Sequence, residues 1–442
     1  MFKVGGFNEY SIENQVVYDA FLDLIELNFK KFNYNHIETP VVEKNEVLLS
    51  KGGEDISKQI FGLYGLAQGV DDIKKYSLRF DQTIPFARFV VDNFSNLLFP
   101  FKKYQIGKVR RGERQQKGRF KEFTQADIDV IRNQKKFDNL FYYDAEIIAI
   151  LYMTIFDIVG VCDKKIDFTV NINNKLIIES ILKKISSSEI IEKKLVGIVD
   201  KFHKLSKSNF IEELSKNSVS DEDIDFLVSI LSKEIFFEDL PDILNLIDDD
   251  NYKKGVNDLI SLLEILLSIS SSLGINIKYK IDFSIIRGLD YYTGTVFEIF
   301  IDEFPEFGSI CSGGRYDKLT NSLSSKINCS GVGGSIGIDR LYSIFLDKKI
   351  TFSQKDFQTG PDYFFLNFDE TNKEILSIML SFLKKGKSVE IYPFEDKFKK
   401  QLDFANKRLS KNVVIFGQNE KSNNYYIIKN MKTGNEQKIL IN

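Results

Sequence analysis

Apolar positions along the chain change period several times, and each change marks an element. Residues 11–35, SIENQVVYDAFLDLIELNFKKFNYN, place apolar side chains at helical spacing behind Ser11 as N-cap, and the chain turns extended around Pro40. From about 76 to 131 the period becomes two with turn residues between the runs, which predicts an antiparallel sheet. Residues 140–160, LFYYDAEIIAILYMTIFDIVG, return to a helical period and end on Gly160. Residues 175–275 are Lys, Ser, Glu, Ile and Leu in helical patterns with few chemically useful side chains, and predict a helical insertion. Strand-like and glycine-rich segments resume from 278 to 340, so the insertion interrupts one domain whose sheet is completed afterwards. Past Gly360-Pro361, YFFLNF, SVEIYPF and NVVIFG alternate with helical stretches through 371–384 and 396–409. Strands separated by helices of that length predict a small α/β module with a largely parallel sheet. The expected class is α+β, and 442 residues exceed what one core normally supports.

Composition narrows the function. Cys162, Cys311 and Cys329 are far apart with no C-x-x-C pair, against a disulfide framework or structural zinc and in favour of a reducing compartment. With only His36 and His203 present, a His-rich metal centre is excluded, and both histidines are expected to be structural. The N-terminus lacks a long apolar stretch, and no apolar run approaches the roughly 18 residues of a spanning helix, so a cytoplasmic protein without a membrane partner is expected. A net charge of −3 means that any nucleic-acid surface must be a local patch.

Such a patch exists. Residues 101–121, FKKYQIGKVRRGERQQKGRFK, hold nine Lys or Arg against one acid, Glu113. Read as a loop, the segment offers Arg110, Arg111, Arg114 and Arg119, whose planar guanidiniums suit a polyphosphate or an RNA end. Beside it, period two in FKEFTQADIDVI puts Gln125, Asp127 and Asp129 on one face and Ala126, Ile128 and Val130 on the other. In LRFDQTIPF, Arg79, Asp81 and Thr83 share a face opposite Leu78, Phe80 and Ile84. Two polar strand faces suggest a pocket floor, against the commoner reading of solvent exposure. In RGLDYYTGTVFEIF, adjacent tyrosines are more often core than ligand, but Arg287 and Asp290 just before Tyr291-Tyr292 make a hydrogen-bonding aromatic pocket a credible reading. CSGGRYD and SGVGGSIGIDRLYSIF are glycine-rich and run into a helix near Ile336. Neither these glycines nor GKS at 386–388 complete a dinucleotide-binding or P-loop motif, so a bound ATP is held in some other way.

In this order the clusters resemble the class II aminoacyl-tRNA synthetases, and RGLDYYTGTVFE resembles the histidine-recognising signature of the histidyl-tRNA synthetases. IETPVVE with Pro40 resembles motif 1, VRRGERQQKGRFKEFTQADIDV motif 2, and GVGGSIGIDRL, ending at Arg340, motif 3. KFKKQLDFANKRL and IIKNMKTGNEQ extend a weaker likeness into the C-terminal module. The resemblance implies a six- or seven-stranded antiparallel sheet flanked by helices, a homodimer formed through motif 1, and a C-terminal α/β anticodon-binding domain. The expected division is 1–174 and 277–350 for the catalytic domain, 175–276 for the insertion and 358–442 for the anticodon-binding domain.

It also implies roles. Asp81, Thr83, Gln125 and Asp129 hold the α-amino group and part of the imidazole of histidine, and Tyr291 and Tyr292 close its pocket. Arg111, the motif 2 arginine, bridges the histidine carboxylate and the ATP α-phosphate, with Arg287 on the other side as the second catalytic cation. Glu113 orients the adenine end, Arg119 and Arg340 reach the outer phosphates, and Arg114 and Gln116 touch the acceptor end of tRNA(His). ATP arrives with Mg²⁺, whose ligands remain unassigned. Arg110 stands where the family often has an aromatic residue, and Gln115 where it often has proline. Two alternatives share the sheet without the chemistry: a non-catalytic paralogue such as the ATP phosphoribosyltransferase regulatory subunit, which predicts missing motif arginines, and a synthetase-like tRNA sensor, which needs an effector segment.

Overall fold

The computed structural model describes residues 3–50, 59–63, 65, 75–113, 117–133, 141–186, 188–286, 291–352, 360–368 and 372–441. Contacts divide the chain into two compact units, Met1–Glu9 with Phe21–Phe352, and Tyr10–Ala20 with Ser353–Asn442.

In chain order the larger unit carries strands β1 (Asn35–His36), β2 (Val42–Lys44), β3 (Gly62–Leu63), β4 (Tyr76–Leu78), β5 (Phe101–Arg110), β6 (Glu122–Asn133), β7 (Phe168–Asn174), β8 (Tyr279–Ile281), β9 (Thr295–Ile301), β10 (Cys311–Arg315) and β11 (Cys329–Gly337). Strands β2, β4 and β3 form a small antiparallel sheet. The other eight form one sheet in the order β1-β5-β6-β11-β10-β9-β7-β8. Its six inner strands are antiparallel, as expected, but the short edge strands β1 and β8 run parallel to β5 and β7.

Alternation sorts the two faces of this sheet. Ala126, Ile128 and Val130 share a face with Tyr104, Gly334 and Phe297, and that face packs on the helix Tyr142–Gly160. The helix comes so close that a Cβ on Gly334 would stand 2.6 Å from Leu151. Its buried residues include Ile147, Ile148, Ala149, Ile150 and Leu151, consecutive positions that no single-sided helix would bury. The opposite face presents Lys103, Gln125, Asp127, Asp129 and Ser335.

Two expectations are corrected. Period two does not persist from 76 to 131, because Thr83–Asn93 is a helix that buries Ile84, Phe86, Ala87 and Val90. Pro85 stands in its first turn, where the missing N–H costs little. The basic segment 101–121 is not a loop throughout, since β5 occupies its first ten residues. There Lys102 pairs with Glu146 at 2.7 Å, Lys103 with Asp129 at 2.6 Å and Arg110 with Glu122 at 2.7 Å.

The insertion is helical, with main helices at Lys175–Ile185, Glu189–Val199, Lys207–Lys216, Asp221–Ser232 and Asp250–Leu273. Ser188, Ser206, Ser220 and Asp249 each accept a backbone N–H of the following first turn. Among the described residues, Asp250–Leu273 has the length and composition to cross a membrane, which the sequence reading did not find. It is amphipathic, burying Val256, Leu259, Leu263 and Leu266 at three- and four-residue spacing.

The smaller unit holds β12 (Tyr363–Phe365), β13 (Val389–Ile391), β14 (Asn412–Ile415), β15 (Tyr425–Asn430) and β16 (Glu436–Leu440). The parallel strands β13-β12-β14 follow the expected pattern, whereas β15 and β16 extend the sheet as an antiparallel hairpin. Phe365, Ile375, Phe382 and Val414 centre one side of its core, and Phe364, Tyr392 and Ala405 the other.

Candidate active site

The polar face of β6 supplies the axis of the site. Gln125, Asp127 and Asp129 follow one another at two-residue steps, so from first to last the face spans about 13 Å. Different chemistry gathers at the two ends.

At the Gln125 end lies a cavity of ≈ 200 Å³ lined by Arg111, Glu113, Arg119, Gln125, Ser335 and Arg340, among others. Arg111 follows directly on β5; its Nε donates to the Phe80 carbonyl at 3.1 Å and its guanidinium lies 5.1 Å from the centre of the Phe123 ring. Arg119 pairs with Glu113 at 3.3 Å. Arg340, in the first turn of the helix Ile338–Asp347, donates from Nε to the Gly118 carbonyl at 3.0 Å and from Nη1 to the Ser309 carbonyl. Gly118 has φ +69°, and a Cβ there would stand 3.2 Å from Phe307 and 3.3 Å from Arg340, so glycine is what permits this turn. Burial, followed by the charges of Arg119 and Arg111, pulls the Arg340 guanidinium down to about 10. A half-buried arginine crowded by two others is a site that gains from a polyanion.

At the Asp129 end carboxylates meet tyrosines. The Tyr316 hydroxyl donates to Asp129 Oδ1 at 2.7 Å, and the Lys103 ammonium pairs with Asp129 Oδ2 at 2.6 Å. The Tyr291 hydroxyl donates to Asp81 Oδ2 at 3.2 Å, and Thr83 hydrogen-bonds the same phenol. The Tyr291 ring stands edge-on to both Tyr292 and Tyr316, with centroids 5.0 and 5.9 Å away. Glycines in β11 make room: a Cβ on Gly331 would fall 2.1 Å from the Tyr316 ring, and one on Gly333 1.9 Å from Asp129 Oδ1. Burial pushes Asp81 up to about 7 against the opposing charge of Arg111, and Asp127 up to about 6 against that of Lys103. Asp127 Oδ1 and Gln125 Oε1 are buried acceptors with no hydrogen-bond partner among the described residues. Such acceptors suit a ligand that carries N–H donors.

The structure thus brings Arg111, Glu113, Arg119 and Arg340 around one cavity, with Gln125 at its edge. It groups Asp81, Thr83, Asp129, Tyr291 and Tyr292 beyond it. Arg287, Asp290, Arg114 and Gln116 lie outside the described residues. Arg79 is tied to the carbonyls of Thr39 and Lys108, and Arg110 to Glu122, so neither joins the cavity lining. Sequence reasoning passed over Tyr316 and Lys103 and assigned no role to Asp127. Tyr316 was legible only through its glycine neighbours, and Lys103 was counted into a basic loop. Among the described residues no three His, Cys, Asp or Glu side chains form a metal-holding group.

The profile of the histidyl-tRNA synthetase family matches residues 17–341. The chain is 37% identical to the histidine–tRNA ligase of Finegoldia magna over 99% of its own length and 96% of the relative's. It is 35% identical to that of Clostridium tetani, over 98% and 94%. The crystal structure of histidyl-tRNA synthetase from Nostoc sp. PCC 7120 superposes with a TM-score of 0.83 at 28% identity, covering 100% of this chain and 97% of that one. An ATP phosphoribosyltransferase regulatory subunit/histidyl-tRNA synthetase from Bacillus halodurans C shares the fold, with a TM-score of 0.72 at 21% identity over 91% of this chain and 96% of that one. With a family match across most of its length and such relatives over nearly all of it, the chain belongs to the histidyl-tRNA synthetase family.

Proposed function

We propose that this chain is a cytoplasmic, homodimeric histidine–tRNA ligase that makes histidyl-adenylate along the polar face of β6 and passes the histidyl group to tRNA(His). One observation carries this reading: a cavity with three arginines at one end of a single strand face, and a carboxylate–tyrosine cluster at the other. The phosphates of ATP, brought with Mg²⁺ as part of the substrate, occupy the arginine end. Arg119 and Arg340 hold the outer phosphates and Glu113 the adenine. Histidine occupies the far end, with its ammonium on Asp81, Thr83 and Gln125 and its imidazole between Asp129, Tyr291 and Tyr292. The unpartnered Asp127 oxygen adds an acceptor for the same ammonium.

The histidine carboxylate is already ionised near neutral pH, so its attack on the α-phosphorus needs no general base, and pyrophosphate leaves. Arg111 stands between the two ends and acts by positioning and charge, with Arg287 as the opposing cation by its place in the signature. In the second step a terminal ribose hydroxyl of tRNA attacks the histidyl carbonyl and AMP leaves, with Arg114 and Gln116 directed at the acceptor end. The smaller unit is assigned to the anticodon. The regulatory-subunit alternative rests on likeness in fold alone.

ATP–pyrophosphate exchange, run with each common amino acid in turn, tests this. Histidine alone should stimulate exchange, and its failure to do so would overturn the reading. Arg111→Ala should lower exchange by at least about 10²-fold, the scale seen when one preorganised donor is removed.

A further inference from the structure

A lysine with no exposed surface lies behind the proposed histidine pocket. Lys103 sits near the start of β5 directly across from Asp129, its side chain 0% exposed and that of Asp129 2%. Its ammonium pairs with Asp129 Oδ2 at 2.6 Å and lies 4.7 Å from the centre of the Phe86 ring. A buried ion pair is a poor device for stability, since apolar residues of similar volume often serve as well or better. Its presence calls for a reason in the site. Asp129 already accepts from Tyr316 on its other oxygen, so the carboxylate is held from two sides in one orientation.

We propose that Lys103 is a positioning residue for histidine recognition, its buried ammonium and the Tyr316 hydroxyl together fixing the Asp129 carboxylate in the orientation in which it accepts from the imidazole. This rests on the histidine reading of the pocket. The charged and titratable groups around the pair are Asp81, Asp127, Arg79, Tyr34, Tyr291, Tyr292 and Tyr316. Three carboxylates therefore share a water-poor space with three cations, Lys103 paired to Asp129, the buried Arg79 acting on Asp127 and Asp81, and Arg111 toward the phosphate end. Without Lys103, Asp127 would lose the nearest opposing charge and hold its proton to higher pH. Asp129 would also lose one of its two anchors, and with it its fixed aim at the imidazole.

The test is steady-state pyrophosphate exchange of the full-length enzyme from pH 6 to 9, comparing wild type with Lys103→Met and Lys103→Arg. In Lys103→Met the KM for histidine should rise at least about tenfold at neutral pH, with the KM for ATP within about twofold. The pH at which histidine KM becomes favourable should move up by about one unit, the scale of one such charge contact. Lys103→Arg should restore most of both. An unchanged histidine KM and pH profile in Lys103→Met, or equal rises in both KM values, would overturn the proposal. If Lys103→Met does not fold, Lys103→Arg and Tyr316→Phe carry the test: the first should keep the pH profile and the second should raise histidine KM, and the opposite result for either refutes it. A wild-type enzyme that histidine fails to stimulate refutes instead the reading on which the inference rests.

Discussion

Asp81 and Asp127 both have their carboxyls raised by burial, to about 7 and about 6. Each binds a proton more readily in the folded chain than in the unfolded one. Their contribution to stability is therefore complete below the ordinary carboxylate range and is lost as pH rises through those two values. An ammonium ligand needs the ionised forms. Histidine should accordingly raise the thermal midpoint more at about pH 7.5 than at about pH 5.5, with proton release visible as buffer-dependent heat. Asp127→Asn should flatten that dependence near pH 6, and an identical profile would remove Asp127 from the ammonium site. At this scale the sequence was informative where period two held. The face Gln125-Asp127-Asp129 could be read directly, whereas Tyr316 could not, because its link to Asp129 crosses 187 residues of chain.

Among elements, β11 has little freedom. Its glycines at 331 and 333 stand where the Tyr316 ring and Asp129 would otherwise collide with a side chain. Gly331→Ala should cost about 1–3 kcal/mol in urea unfolding and weaken histidine binding, since a rigid ring must move. Gly337→Ala, whose nearest neighbour would be 3.6 Å away, is the control and should be tolerated. The helix Tyr142–Gly160 meets β10 through a buried pair in which Arg315 donates to both oxygens of Asp144. Asp144→Ala leaves that buried guanidinium with the more distant Asp317, at 3.5 Å, as its acid partner, and a loss of about 3 kcal/mol is expected in the same assay. Element types were legible wherever a period ran long, as in 140–160 and the insertion. They failed over 83–93, where a few alternating residues before Pro85 resemble a strand, and burial of Ile84, Ala87 and Val90 selects the helix instead.

For the whole molecule, the reading as a homodimer makes a direct claim on mass. Sedimentation equilibrium should give about twice the 51.0 kDa of one chain, and a monomer at micromolar concentration would remove dimerisation through motif 1. The order of strands in the main sheet is a property of this scale alone. Strands β6 and β11 are neighbours although the helix Tyr142–Gly160, β7 and the whole insertion separate them in the chain. The two parallel edge strands are also decided here, because β1 and β8 are two and three residues long and carry no usable period.

Local chemistry, then, was written in the order of residues: amphipathic helices, the polar face of β6, the arginines of motifs 2 and 3, and a signature long enough to name a family. These are short-range patterns, and a single chain displays them without folding. Only the tertiary structure decided that β5 turns its first lysines inward to form ion pairs, that Tyr316 joins Tyr291 and Tyr292, and that Asp127 is left with an unpartnered oxygen. Burial and charge pairing depend on which distant strands become neighbours, and no window along the chain contains both partners.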